Sequence, residues 1–378
     1  MNLADMLSYA DIQDLSRIAN YYECDCNGNS KNELIQSILS RVCRKEVFQQ
    51  HMDNLTTEDL RFLNSLLFDQ RNSFSLEELV ARVQQTRFSK EERDRWNPRD
   101  MITKFKQHGW LFNGFSQQTK YLFQVPHDLK SRFSETLAKQ FKSELVLSGE
   151  PAAYRDEQEL ILRDIYQFLH YVHQNDIQLT SDGIMYKKNQ QQIIDRFSVH
   201  EELVGKGGWR FGYGRRFKEY PNRLSLIYDY CYYQQLIEEQ DQRLALTDKG
   251  RESVSQDKRE NLLHVYKFWL RLYKGPVHNL LSLVHWIDIL AKDWVTVQSI
   301  STVLLRFIQP YYYDTPESIL EQRILLMLLH LGLIRIGEDG ATGTVLQVTK
   351  LGSSVIAGVY VALDDTIVLP AGSAPELV

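Results

Sequence analysis

The sequence predicts a mainly α-helical protein built from tandem modules, each of three helices closed by a small β-hairpin. Three observations predict it. Apolar residues recur at i, i+3, i+4 and i+7, as in Leu15, Ile18, Ala19 and Tyr22, the spacing of one buried helical face. From Thr56 onward a succession of three helices and two short β runs is read three times. Two of the hairpins share a form. Leu236-Ile237 and Leu333-Ile334 enter them, and L-T-x-x-G over 246–250 and V-T-x-x-G over 348–352 leave them. An internal repeat argues for tandem units more strongly than one motif does. At 378 residues the chain exceeds one ordinary core, and about two to four modules are expected.

The first segment, 1–50, holds two short helices around an extended loop within 12–42. After Asn27-Gly28-Asn29, Ser30 to Glu33 has the form of a capping box, and Leu34, Ile35, Ile38, Leu39 and Val42 continue the apolar face. The stretch from Gly28 to Ile35 resembles the SAP-type helix-extension-helix module, whose second helix begins G-x-x-K-x-E-L-I. That resemblance implies DNA binding; the acidity of the segment leaves protein docking open as well.

The first module spans 55–130, with helices over 58–68, 75–84 and 98–108 and β runs at 110–112 and 121–125. Three helices and a hairpin describe a winged helix, in which the third helix lies across the DNA major groove. Pro98 suits a first helical turn. With Ile102 and Phe105 inward, Arg99, Thr103 and Lys106 fall on the opposite face, a candidate DNA contact. A solvated surface is the other reading.

A helix and linker follow over 131–154. The second winged helix spans 155–275: Leu160, Ile161, Ile165, Phe168, Leu169 and Val172 mark its first helix, with the second near 190–197, the third over 223–236 and the wing closing on 243–250. The third spans 276–360, with helices over 277–291, 297–307 and 316–331. Its third helix opens with Glu317 and Glu321 and is apolar beyond, so it reads as a packing helix.

The stretch 205–223, GKGGWRFGYGRRFKEYPNR, sits just before the third helix of the second module. It interleaves glycines with Trp209, Phe211, Tyr213, Phe217 and Tyr220 and with Lys206, Arg210, Arg215, Arg216, Lys218 and Arg223. Guanidinium groups pair with phosphates and flat rings stack on bases, so the composition suits nucleic-acid contact. In that reading Arg210, Arg215 and Arg216 hold phosphates and Trp209 or Tyr213 stacks on an unpaired base. The other reading is a surface loop whose aromatics pin it to its own domain.

Charge divides along the chain. Residues 1–80 carry 7 basic and 13 acidic residues, and residues 81–150 carry 13 and 8. The net charge of -5 therefore does not exclude a polyanionic partner, because attraction depends on local field. No signal peptide or long apolar run occurs, and four cysteines are too few for a disulfide framework at this length, so a cytoplasmic protein is expected. Cys24, Cys26, Cys43 and His51 open with C-x-C, a poor start for a zinc site.

L-T-S-D-G-I-M-Y-K-K-N over 179–189, L-T-D-K-G-R over 246–251 and a basic-aromatic helix with Trp269 are similar to bacterial helicase-associated proteins related to the N-terminal region of XPB-type helicases. The resemblance covers roughly 155–378. It implies an accessory factor in DNA repair, recombination or transcription, partnered with DNA and with a helicase or nuclease. By the same resemblance Thr366 to Pro370 looks like the opening strand of a further domain, so 361–378 reads as the start of a truncated one.

No cofactor or catalytic motif stands out. Gly205-Lys206-Gly207-Gly208 lacks the spacing and the Ser or Thr of a phosphate-binding loop, and His170 and His173 lack the H-E-x-x-H form. Glu201-Glu202 has no second acidic group in register for a nuclease site. The expectation is a non-enzymatic DNA-binding protein without metal or cofactor. A protein-interaction scaffold, its winged helices docking a helicase, a nuclease or another copy, is the alternative.

Overall fold

The computed structural model describes residues 1–69, 71, 73–88, 96–205 and 212–358. Over these the protein is mainly helical, with short antiparallel strands. The chain divides into two compact units, Met1–Ser143 and Glu144–Val378.

In the first unit α1 (Leu3–Tyr9), α2 (Ile12–Tyr21), α3 (Lys31–Val42) and α4 (Lys45–Asp53) precede α5 (Thr57–Leu67), α6 (Leu76–Gln84) and α7 (Pro98–Gln107). The hairpin β1 (Phe112–Asn113) and β2 (Phe123–Gln124) and the long α8 (His127–Ser143) complete it. The apolar face read from the sequence is buried at Leu15, Ile18, Ala19, Tyr22, Leu34, Ile38 and Val42. Ser30 caps α3 by accepting from the Glu33 N–H, but the Glu33 carboxylate accepts from the Asn27 N–H instead of closing the box. Neither α1 nor α4 stood out in the sequence, since each is under three turns long.

Where a short helix and linker were expected, α8 buries Leu129, Phe133, Leu137 and Phe141 in the core of this unit. Arg132 on α8 donates to the carbonyls of Val42, Cys43 and Arg44, satisfying acceptors that the end of α3 leaves open at Val42 and Cys43. Phe62, Phe105, Trp110 and Phe133 meet edge to face, with centroids 4.8 to 5.5 Å apart.

The second unit begins with β3 (Tyr154–Asp156), α9 (Leu160–Gln174), β4 (Ile177–Gln178), α10 (Lys187–Ile194), α11 (Asn222–Tyr233), β5 (Ile237–Gln240), β6 (Arg243–Leu246) and α12 (Asp248–Ser255). It continues through α13 (Leu262–Tyr273), α14 (Leu280–Leu290), β7 (Val295–Thr296) and α15 (Val297–Leu304). A helical run then passes from α16 (Pro316–Ser318) through a π-helical stretch, Ile319–Leu325, into α17 (Leu326–His330), followed by β8 (Ile334–Asp339), β9 (Gly343–Val348) and α18 (Lys350–Ala357).

The three repeats share one topology. In each, a short extended segment between the first two helices pairs with the last hairpin strand: Phe74 with Phe123, β4 with β6, and β7 with β9. The third helices also end alike. Gly109, Gln235 and Gly332 all take positive φ, and the next N–H bonds back to Phe105, Cys231 and Leu328 at 3.0, 2.8 and 2.9 Å, a helix-terminating geometry that satisfies the last carbonyls.

The repeated L/V-T-x-x-G has a physical cause. Thr247 and Thr349 close the hairpins and cap α12 and α18, their hydroxyls accepting from Gly250 and Gly352 N–H. A Cβ on either glycine would overlap the backbone carbonyl oxygen of Leu236 or Leu333. The glycine is therefore required by close approach of the new helix to the strand entry.

Residues 144–156 form no free linker. Val146 and Ser148 exchange backbone hydrogen bonds with Thr296 and Trp294 along one edge of the four-stranded sheet, and β3 pairs with β8 on the other. One strap thus supplies the outermost pairing on both sides of the sheet, covering the edges of β7 and β8 that, left exposed, would invite pairing with other chains.

Candidate nucleic-acid interface

Asn97 caps α7 by accepting from Arg99 N–H, and Pro98 occupies the first turn. Met101, Ile102 and Phe105 are buried beneath, which turns Arg99 and Thr103 outward; both are exposed. Lys106 is half-buried, its Nζ 2.9 Å from Asn113 Oδ1 and 3.7 Å from Asp14 Oδ2. Lys104 reaches the other way, to the buried Asp59 at 2.5 Å. At the hairpin turn beside this face stand Lys120 and Tyr121, the latter 75 % exposed with the Lys120 ammonium 4.8 Å from its ring centroid. Neither stood out in the sequence, where Lys120 falls in a polar turn and Tyr121 opens the second β run; a basic residue next to an aromatic at a hairpin tip was the available signal.

The stretch before α11 behaves differently. Lys206, Trp209 and Arg210 lie outside the described residues. From Gly212 onward the aromatics are packed: Tyr213, Phe217 and Tyr220 are buried. Tyr213 donates to Asp314 at 3.2 Å and meets Tyr273 and Tyr311 edge to face, so it offers no ring for a base. Burial, reinforced by the Asp314 carboxylate, pushes its hydroxyl pKa well up.

Arg215 and Arg216, expected on phosphates, converge instead on the Glu239 carboxylate of β5, at 3.1 and 3.0 Å. Tyr228 donates to the same carboxylate at 2.6 Å. The Arg215 guanidinium also lies 3.6 Å from the Tyr232 ring centroid. These pairs fasten the loop to the wing, and both arginines are largely covered. Lys218 is exposed. Lys187 at the start of α10 donates to the carbonyls of Val204 and Glu219, tying together the segments on either side of 206–211.

Arg223, also expected on DNA, is a core residue. Its side chain is fully buried and pairs with Glu157 at 2.6 Å and Asp164 at 2.7 Å, and it donates to the His330 carbonyl at 3.0 Å. Glu201 accepts from the first N–H groups of α11, those of Arg223 and Leu224, the place where the helix dipole favours an anion. Burial pushes the Glu157 pKa up, but its bond to His330 and the Arg223 charge outweigh this and hold it below the usual range. Every residue over 223–231 is buried, because α11 packs on α9 and β5 on one side and on α13 and α17 on the other. The helix expected to enter a groove is thus enclosed, and so is the apolar α17, as its composition implied.

Comparison with family models, with curated proteins and with solved structures finds no match. Among the described residues no group of three or more His, Cys, Asp or Glu side chains is placed to hold a metal ion, and no helix is long and apolar enough to cross a membrane.

Proposed function

We propose that the chain is a non-enzymatic DNA-binding protein, an accessory factor to a helicase in repair, recombination or transcription, whose first unit carries the DNA contact. The observation that carries this reading is a comparison of equivalent helices. Of the three third helices, α11 is buried over 223–231 and the run over 316–330 leaves only Glu317, Glu321 and Gln322 exposed, whereas α7 keeps an open outer face with Arg99 and Thr103 exposed. In winged-helix terms α7 lies toward the major groove and the hairpin tip, with Lys120 and Tyr121, toward the backbone beside it. Lys218 and the basic residues over 206–211 would add a second, weaker contact.

The test is binding of a labelled duplex over a salt series. Replacing Arg99 and Lys120 by glutamate is expected to weaken binding and flatten the slope of log K against log salt by roughly 0.9 for each phosphate no longer neutralised. An unchanged slope sinks the reading.

The enclosure of α11 and α17 favours a second role for Glu144–Val378, that of a rigid scaffold for a helicase, a nuclease or another copy of the chain. A partner retained at about 0.3 M salt after nuclease treatment supports it, since phosphate contacts are screened and displaced by ions.

A further inference from the structure

We propose that a recess in the first unit, between α1, the start of α2 and the hairpin, docks an arginine side chain of a partner protein. One wall is the pair formed by Tyr9, at the end of α1, and Phe115, in the hairpin turn, whose rings stack at 4.5 Å with 19° between planes. More than half of each remains in solvent, at 62 % and 55 %. Two large rings stacked on each other yet uncovered are apolar area that a partner would remove from water. Beside this stacked pair lies a cavity of about 220 Å³, floored by Met6, Ile18, Leu111 and Phe112. That is below the roughly 300–1,000 Å³ of small-molecule sites, so it admits one side chain and not a cofactor.

Charge selects the occupant. Asp11 and Asp14 line the recess together with one cation, Lys106, and residues 1–33 carry Asp5, Asp11, Asp14, Glu23, Asp25 and Glu33 against Arg17 and Lys31. A polyanion is repelled here and a cation attracted. Asp14 already holds Arg17 at 3.1 Å and Lys106 at 3.7 Å. Asp11 is exposed and uses Oδ1 to cap α2, which leaves it the carboxylate for an incoming cation. Among cations, guanidinium is planar: it stacks on an aromatic face while its edge pairs with a carboxylate, and its aliphatic stem suits an apolar floor. A lysine ammonium does not stack. The recess adjoins the α7 face through Lys106 and the hairpin, but neither Arg99 nor Lys120 lines it, so the substitutions that test the two proposals are distinct and either can fail alone.

The experiment titrates the full chain with a blocked pentapeptide carrying one central arginine between leucines, and with versions in which lysine, citrulline or norleucine replaces it, followed by calorimetry. The arginine peptide is expected to bind about tenfold more tightly than the other three. Phe115→Ala and Asp11→Asn are each expected to abolish that preference. Both sites are exposed, and asparagine caps a helix as well as aspartate, so the fold survives. Equal affinity for all four peptides, no binding of any, or no effect of either substitution overturns the proposal. A single-stranded oligonucleotide that binds with the same dependence on Phe115 also overturns it, by assigning the recess to nucleic acid.

Discussion

The guanidinium of Arg223 and the carboxylate of Glu157 meet at 2.6 Å where neither side chain reaches solvent. Glu157 lies just before the first helix of the second repeat and Arg223 on its third, and the same carboxylate receives His330 Nδ1, at the end of α17, at 3.1 Å. The pair therefore ties two repeats into one unit. Removing one member of a buried pair leaves an uncompensated charge, so Arg223→Met is expected to cost about 3–5 kcal/mol in urea unfolding. Arg223→Met and Glu157→Gln combined are expected to cost less than the sum of the two, by roughly 0.5–3 kcal/mol; strict additivity would show that the two side chains are not coupled.

The two hairpin-closing glycines make a paired prediction. Gly250→Ala and Gly352→Ala each drive a Cβ into a backbone carbonyl, which cannot rotate away, so both are expected to destabilise by more than the roughly 1 kcal/mol typical of point changes. Gly275→Ala, with nothing within 4 Å of its Cβ position, serves as the control and is expected to leave the melting temperature nearly unchanged.

His108 sets part of the acid limit of the first unit. It is buried, stacks on Tyr21 at 4.2 Å and has no partner for Nδ1. Burial first, and then the neighbouring Lys104 charge, push its pKa down to about 3, against about 6.5 for an unfolded histidine. The unfolded chain thus takes up a proton that the folded one refuses. Stability should fall as pH drops from about 6.5 toward 3, by up to about 1.4 kcal/mol per pH unit. His108→Phe keeps the ring stack and should flatten that limb in chemical unfolding measured over pH.

Asp229 on α11 acts in the opposite range. It is fully buried, Oδ2 accepts from Arg215 N–H at 3.0 Å and Oδ1 has no partner. Burial raises its pKa to about 7 despite the backbone bond and the two arginines. A raised carboxyl contributes stability that is complete below the unfolded value and is lost as pH rises to about 7. Asp229→Asn should remove this decline between about pH 4 and 7, seen as a flatter pH profile of the unfolding midpoint.

Arg216 separates anchoring from DNA contact. Because it is paired with Glu239, Arg216→Gln is expected to lower the unfolding midpoint while leaving the salt slope of DNA binding unchanged. A slope flatter by roughly 0.9, with stability intact, would instead place a phosphate on Arg216.

Much of the architecture was legible because it rests on local rules. Apolar spacing located most helices in all three repeats, Pro98 marked the start of α7, and the repeated Thr and Gly marked the end of the same hairpin twice, since a threonine hydroxyl and a missing Cβ act within a few residues of their position. The first repeat's outer face, Arg99 and Thr103, follows from helical period alone, and both are exposed as that period requires.

What only the tertiary structure decided is which surfaces remain surfaces. Arg215, Arg216 and Arg223 carry the same charge as residues that bind phosphate, and nothing local distinguishes a guanidinium facing solvent from one facing Glu239 or Glu157, carboxylates that lie 23 to 66 positions away in sequence. The stretch over 205–223 was legible as basic and aromatic. Over its described residues, 205 and 212–223, its aromatics and arginines turn inward, because burying rings and pairing charges within the unit is a long-range outcome that composition does not encode. The strap over 144–156 is the same lesson in backbone form: its partners are strands 146 to 183 residues later, and only the closed sheet reveals that a stretch resembling a linker supplies both of its edges.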